Sequence, residues 1–126
     1  MAKKILLIDD EPLVIRMYQQ KLLGDGYQVL EASNGKDGFE MAKKEKPDLI
    51  FLDLMMPNVD GIMTLKMLKG EVGTKNIPVI ILTNVNHGQE IENAKKAKVM
   101  GALDYLVKSQ IDLKKLSATA VSILGG

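Results

Sequence analysis

The sequence predicts an α/β protein: one doubly wound, five-stranded parallel sheet in the order 2-1-3-4-5, with helices on both faces. Three observations predict it. Apolar runs of strand length alternate with segments whose apolar residues recur at helical spacing, the pattern of βα units joined by right-handed crossovers. The first, third and fourth runs are essentially apolar throughout, as strands buried on both faces are, and belong at the centre. The second and fifth mix polar with apolar residues and belong at the edges.

The first strand is Lys4–Ile8, ended by Asp9–Asp10. Pro12 suits the first turn of a helix, in which Val14, Met17, Tyr18 and Leu22 recur at helical spacing until Gly24–Asp25–Gly26 stops the pattern. The second strand is Gln28–Ala32. Asn34–Gly35 opens the second helix, where Gly38, Met41, Ala42 and Glu45 share a face; the small residues allow close packing on the sheet. Lys46–Pro47 closes it.

Leu49–Leu52 is the third strand and delivers Asp53, before the chain breaks at Pro57. Asp60 is the expected N-cap of the third helix, with Gly61, Leu65 and Leu68 on one stripe and Gly70 and Gly73 at its end. Pro78–Leu82 is the fourth strand and delivers Thr83. The fourth helix, about Gln89–Met100, has a thin apolar stripe of Ile91, Ala94 and Ala97, so it should be loosely held. The fifth strand, Asp104–Val107, delivers Lys108. The last helix, about Asp112–Leu124, carries Leu113, Leu116, Ala120 and Ile123 on one face. The resulting order is that of flavodoxin-like sheets.

Composition narrows the chemistry. The 126 residues suffice for one domain with a sizeable core, and 46% apolar with 26% charged residues is ordinary for a globular protein. A net charge of +1 gives no general attraction to nucleic acid or to an anionic membrane. Without cysteine there is no disulfide, thiolate metal site or thiol nucleophile, and the single His87 excludes a multi-histidine metal site. The run Ile5–Ile8 is cut by Asp9, Asp10 and Glu11, far too soon for a signal peptide, and no stretch reaches membrane-spanning length. A cytoplasmic protein without membrane insertion or direct nucleic-acid binding is expected.

In such a sheet all strands point one way, and ligands bind beyond their carboxyl ends near the switch between the first and third strands. There the chain places Asp9, Asp10, Asp53, Thr83 and Lys108 on one rim. Three adjacent carboxylates repel one another and recruit a cation. An all-oxygen set without histidine or cysteine favours Mg²⁺ or Mn²⁺. Mg²⁺ needs only one or two carboxylates and shares a phosphate, so Asp53 can serve as a nucleophile that forms an aspartyl phosphate. Lys108 would neutralise phosphoryl oxygens, and Thr83 would donate a hydroxyl hydrogen bond.

Asp9–Asp10, Asp53 within Asp–Leu–Met–Met–Pro, Thr83 and Lys108 together resemble the defining set of two-component response-regulator receiver domains. The resemblance is to the single-domain, chemotaxis-receiver-like members. It covers residues 1–126, including Asp60–Gly61 and Gly101–Lys108. It implies one receiver domain that is a signalling phosphoacceptor rather than an enzyme. Asp53 would take the phosphoryl group from a phosphohistidine on a sensor histidine kinase or phosphotransfer protein. Asp10 and Asp53 would bind Mg²⁺ directly, Asp9 through water, and the Met55 backbone carbonyl as a further ligand. Thr83 would be the switch hydroxyl and Tyr105 the switch aromatic. The face made by the fourth helix, fifth strand and fifth helix would then change its protein partners. Leu13 and Ile15 on the first helix would dock the kinase. With no output domain expected, function would run through another protein, or the receiver would be a piece of a longer chain.

Two positions depart from the family's commonest pattern. Lys108 is followed by Ser109 instead of a proline in a cis peptide; a non-proline cis bond costs roughly 2.5–4 kcal/mol and is not expected by default. Thr83 is followed by Asn84 instead of a small residue. Asn84 and Met55 are expected to flank the phosphoryl group and tune its lifetime. Two rival functions are weaker. An aspartyl-phosphate phosphatase or phosphotransferase of the haloacid-dehalogenase type needs a second aspartate two residues past the nucleophile, where this chain has Met55. A phosphorylation-independent receiver-like interaction module would not need the complete acidic set. The Lys95, Lys96 and Lys98 run reads as a solvated helix face, and His87 as a loop residue.

Overall fold

A computed structural model describes residues 2–56, 61–84, 88–108 and 113–125. The elements in chain order are β1 (Lys4–Ile8), α1 (Pro12–Gly24), β2 (Gln28–Ala32), α2 (Gly35–Glu45), β3 (Leu49–Asp53), α3 (Gly61–Gly70), β4 (Val79–Thr83), α4 (Gly88–Val99), β5 (Asp104–Val107) and α5 (Leu113–Leu124). The strands pair in parallel in the order β2-β1-β3-β4-β5. The central strands β1, β3 and β4 are the apolar ones, and the mixed β2 and β5 form the edges.

Alternate side chains of each strand enter different cores. Ile5, Leu7, Phe51, Ile80 and Leu82 pack with Tyr18, Leu22, Leu116 and Ala120 beneath α1 and α5. Leu6, Ile8, Ile50, Leu52 and Ile81 pack with Ala42, Leu65, Leu68, Ala94 and Ala97 beneath α2, α3 and α4. Each fully buried aliphatic side chain contributes roughly 1.5–3 kcal/mol.

Two glycines set the close approaches. A Cβ at Gly38 would lie 2.5 Å from Ile8 Cδ1, so the small face of α2 sits directly on β1. A Cβ at Gly61 would lie 2.4 Å from Leu54 Cα, so α3 begins against the chain leaving β3. Asn34 caps α2, its side chain accepting from the Asp37 N–H at 2.8 Å.

Several boundaries differ from the sequence expectation. Asp53 and Thr83 are the last residues of β3 and β4 rather than the residues beyond them, because Asp53 pairs in register with Leu82, and Thr83 with Val107. Pro78 stands outside β4: it has no N–H to donate, although its carbonyl accepts from Ile50 N at 3.0 Å. The helix expected at Gln89–Met100 runs over Gly88–Val99. Met17 is 50% exposed, not part of the buried stripe of α1. It lies about 100° round the helix from Tyr18, beyond the arc shared by Val14, Ile15, Tyr18 and Leu22. Leu113, in the first turn of α5, is also exposed. The expectations for Pro57, the Asp60 cap, His87, the Lys108–Ser109 peptide and Asp112 lie outside the described residues.

Candidate functional site

The strand ends bring five charged residues from three segments together. Asp53 ends β3 fully buried, and Asp9 follows β1 with 1% exposure. Backbone bonds fix both. Asp53 Oδ1 accepts from the Met55 N–H at 3.1 Å, and Asp9 Oδ1 accepts from the Glu11 N–H at 2.9 Å. The other oxygen of each, Asp9 Oδ2 and Asp53 Oδ2, is buried without a hydrogen-bond partner among the described residues. Lys108 reaches in from the end of β5, its side chain 7% exposed. Its Nζ lies 2.8 Å from Asp9 Oδ2, without hydrogen-bond alignment, and 3.6 Å from Asp53 Oδ2.

Glu11 completes the set and was not singled out from sequence. Its Oε1 accepts from Lys108 Nζ at 2.5 Å. Asp9, Asp10, Glu11 and Asp53 each offer an oxygen within 4.8 Å of the others. The available signal was the third acid of Asp9–Asp10–Glu11, at the N-cap of α1, where a glutamate is a poor cap. Its partner is 97 residues away, and no local pattern announces such a pair.

Electrostatics follow from burial. Burial, and then the neighbouring charge of Asp9, push Asp53 from the ordinary 3.8 up to about 7, against the pull of Lys108 and the Met55 N–H. Burial alone would lower Lys108, but its contacts with Asp9 and Glu11, then the charge of Asp53, hold it above the usual lysine range. A buried, unpartnered carboxylate oxygen beside two further acids is costly when ionised and is suited to a bound cation. The all-oxygen donors and the two orphaned oxygens fit a hard divalent ion.

Around this centre, Thr83 is buried at the end of β4, beside Val107 and hence next to the base of Lys108. Met55 is 50% exposed and Asn84 is exposed, both just past a strand end. Tyr105 is half-buried on β5, packed against the core under α4. Leu13 is 76% exposed on α1 and Ile15 is partly buried. No helix among the described residues is long and apolar enough to cross a membrane.

A doubly wound sheet with this acidic rim and a strand-end lysine defines a class, and residues 5–120 match the family described as the response regulator receiver domain. The chain belongs to that family. It is 37% identical over 123 residues to protein PilH of Pseudomonas aeruginosa, covering 98% of each chain. It is 36% identical over 108 residues to sporulation initiation phosphotransferase F of Bacillus subtilis, covering 86% of this chain and 83% of that one. Among solved structures it superposes on the receiver domain of sensor histidine kinase PA1611 from Pseudomonas aeruginosa, with TM-score 0.90, 25% identity and full coverage of both. That structure has a magnesium ion coordinated in its active-site cleft. Receiver domains are generally signalling phosphoacceptors that act in two-component and phosphorelay systems, bind Mg²⁺ at an acidic pocket and accept phosphoryl groups from histidine kinases or phosphotransfer proteins.

Proposed function

We propose that this chain is a single receiver domain that accepts a phosphoryl group on Asp53 from a phosphohistidine of a sensor histidine kinase or phosphotransfer protein. The observation that carries the reading is the buried, unpartnered Asp53 Oδ2 with the Lys108 ammonium 3.6 Å away. A carboxylate oxygen of Asp53 forms the new bond to phosphorus as the phosphorus–nitrogen bond of the donor breaks. The electron pair of that bond stays on the leaving imidazole nitrogen. Lys108 then faces phosphoryl oxygens, and the Thr83 hydroxyl hydrogen-bonds one of them.

Mg²⁺ fits the oxygen set and supplies charge neutralisation when bound. Asp10 and Asp53 would hold it directly, Asp9 through water, and Met55 through its backbone carbonyl; Mn²⁺ suits the same donors. Thr83 and Tyr105 act as the switch pair. Tyr105 lines an open groove of about 510 Å³ with Ile91, Lys95, Lys98 and Lys115, on the face of α4, β5 and α5 where a downstream protein binds. Met55 and Asn84 flank the phosphoryl group and tune its lifetime. Met55 stands where a turnover phosphatase would carry its acid, which supports a signalling phosphoacceptor. The proposed location is the cytoplasm.

The test is intact mass after treatment with acetyl phosphate. A phosphoryl adduct that requires Mg²⁺ and is lost in Asp53→Asn supports the reading; no adduct on the wild type, or an adduct that persists in Asp53→Asn, contradicts it.

A further inference from the structure

The carboxylate of Glu11 does not cap the helix it precedes. It stands at the N-cap of α1 but its side chain makes no capping hydrogen bond, and among the described residues its Oε1 accepts from Lys108 Nζ. We propose that Glu11 is a positioning residue, a releasable clasp that parks the Lys108 ammonium on the solvent side of the site until phosphoryl oxygens on Asp53 replace it. This rests on the reading of Asp53 as the phosphoacceptor.

The distances give the order of attachment. Lys108 Nζ is 2.5 Å from Glu11 Oε1 and 2.8 Å from Asp9 Oδ2, yet 3.6 Å from Asp53 Oδ2, beyond hydrogen-bond length. An ammonium has three hydrogens to donate. A phosphoryl group on Asp53 adds charged acceptor oxygens that compete with the present partners for the ammonium, and the partner that rehydrates most cheaply is the one they displace.

Asp9 is a poor candidate to yield. Its side chain is 2% exposed, its other oxygen is already tied to the Glu11 N–H, and a buried carboxylate that loses its cation has no water to replace it. The Glu11 side chain is 50% exposed and rehydrates at little cost. Glu11 therefore lets go, and Lys108 turns inward while still anchored by Asp9.

An ion pair present only before phosphorylation has an asymmetric kinetic signature. It stabilises the starting state but neither the transition state nor the phosphorylated state. Its loss should speed phosphorylation by acetyl phosphate roughly two- to tenfold, the range of a half-exposed, charged hydrogen bond. Dephosphorylation, which starts with the clasp already open, should change less than twofold.

The experiment compares wild type with Glu11→Gln, Glu11→Asp and the distant control Glu40→Gln. Glu11→Asp keeps the negative charge but shortens the reach to Lys108. The clasp predicts that both Glu11 variants speed phosphorylation while the control does not. In the metal-free protein, acylation of Lys108 by an amine-reactive ester, mapped by mass spectrometry, should rise several-fold in both. If Glu11→Asp behaves like wild type while Glu11→Gln is faster, general charge and not the clasp sets the rate, and the proposal falls. It also falls if both variants leave phosphorylation unchanged, or if phosphorylation and dephosphorylation slow together. A wild type that takes no phosphoryl group on Asp53 overturns instead the underlying reading.

Discussion

The two ends of the sheet hold the same ingredients, a lysine with aspartate and glutamate, and use them in opposite ways. At the amino end, the Lys4 main chain is joined to both the side chain and the main chain of Asp48. The Lys4 N–H donates to Asp48 Oδ2 at 2.8 Å, and the Asp48 N–H donates to the Lys4 carbonyl at 2.8 Å. The Lys4 ammonium reaches the Glu45 carbonyl at 3.3 Å and its carboxylate at 3.7 Å, with both side chains about a third exposed. At the carboxyl end, Lys108, Asp9 and Asp53 are almost sealed from water, yet two carboxylate oxygens lack hydrogen-bond partners among the described residues. The first arrangement joins chain segments. The second keeps a buried charge imbalance that a proton on Asp53 or a bound cation relieves. Burial without satisfaction, rather than the presence of charges, separates a site from a surface ion pair.

The largest effect belongs to the buried cation. Lys108→Met leaves Asp9 and Asp53 facing each other without a counter-charge. It should cost roughly 3 kcal/mol or more in urea unfolding at pH 8, and much less at pH 4, where Asp53 carries a proton. A loss below about 1 kcal/mol at pH 8 would contradict the electrostatic account.

Neutralising the central acid should have the opposite sign. In the metal-free protein, Asp53→Asn should raise stability by roughly 1–3 kcal/mol at pH 8. The folded state holds the Asp53 proton up to about pH 7, while an ordinary carboxylate releases it near 3.8. The stability this proton contributes is therefore fully present below about pH 4 and is lost as pH rises through about 7. Asp53→Asn should flatten that slope, as read from unfolding midpoints across the range. An unchanged slope would show that other groups carry it.

Mg²⁺ sharpens the contrast from the other side. At ten times its Kd it should stabilise the protein by about 1.4 kcal/mol. The thermal shift at fixed Mg²⁺ should be larger at pH 8 than at pH 6, where a proton competes for Asp53. Asp10→Asn should weaken the shift, whereas Asp48→Asn at the opposite end should leave it intact. The smallest effect belongs to the amino-end pair, where Lys4→Met should cost under about 1 kcal/mol, since the backbone bonds remain and the ion pair is exposed.

The fold was legible because its main signals are local. The apolar runs of β1, β3 and β4 and the mixed β2 and β5 were sufficient for the strand order, and Lys4–Ile8, Gln28–Ala32 and Asp104–Val107 match their strands to the residue. The strand ends were less visible. Asp53 and Thr83 read as residues beyond their strands because they are polar, but register with Leu82 and Val107 extends the ladders through them. Periodicity alone could not exclude Met17 from the buried stripe, because that depends on where α5 packs against α1. Asp9, Asp10, Asp53 and Lys108 could be gathered from topology, since every strand delivers its next residue to one rim. Glu11 could not, because its pairing with Lys108 depends on the turn that opens α1 and on side-chain reach.

The central claim is that the orphaned Asp53 oxygen is the acceptor of a phosphoryl group. It is tested most directly by treating the protein with acetyl phosphate and Mg²⁺, trapping the acyl phosphate by borohydride reduction, and mapping the reduced residue by peptide mass spectrometry. The account predicts modification at Asp53 alone, absent without Mg²⁺. Modification at Asp9, Asp10 or Glu11, or none anywhere, would contradict it.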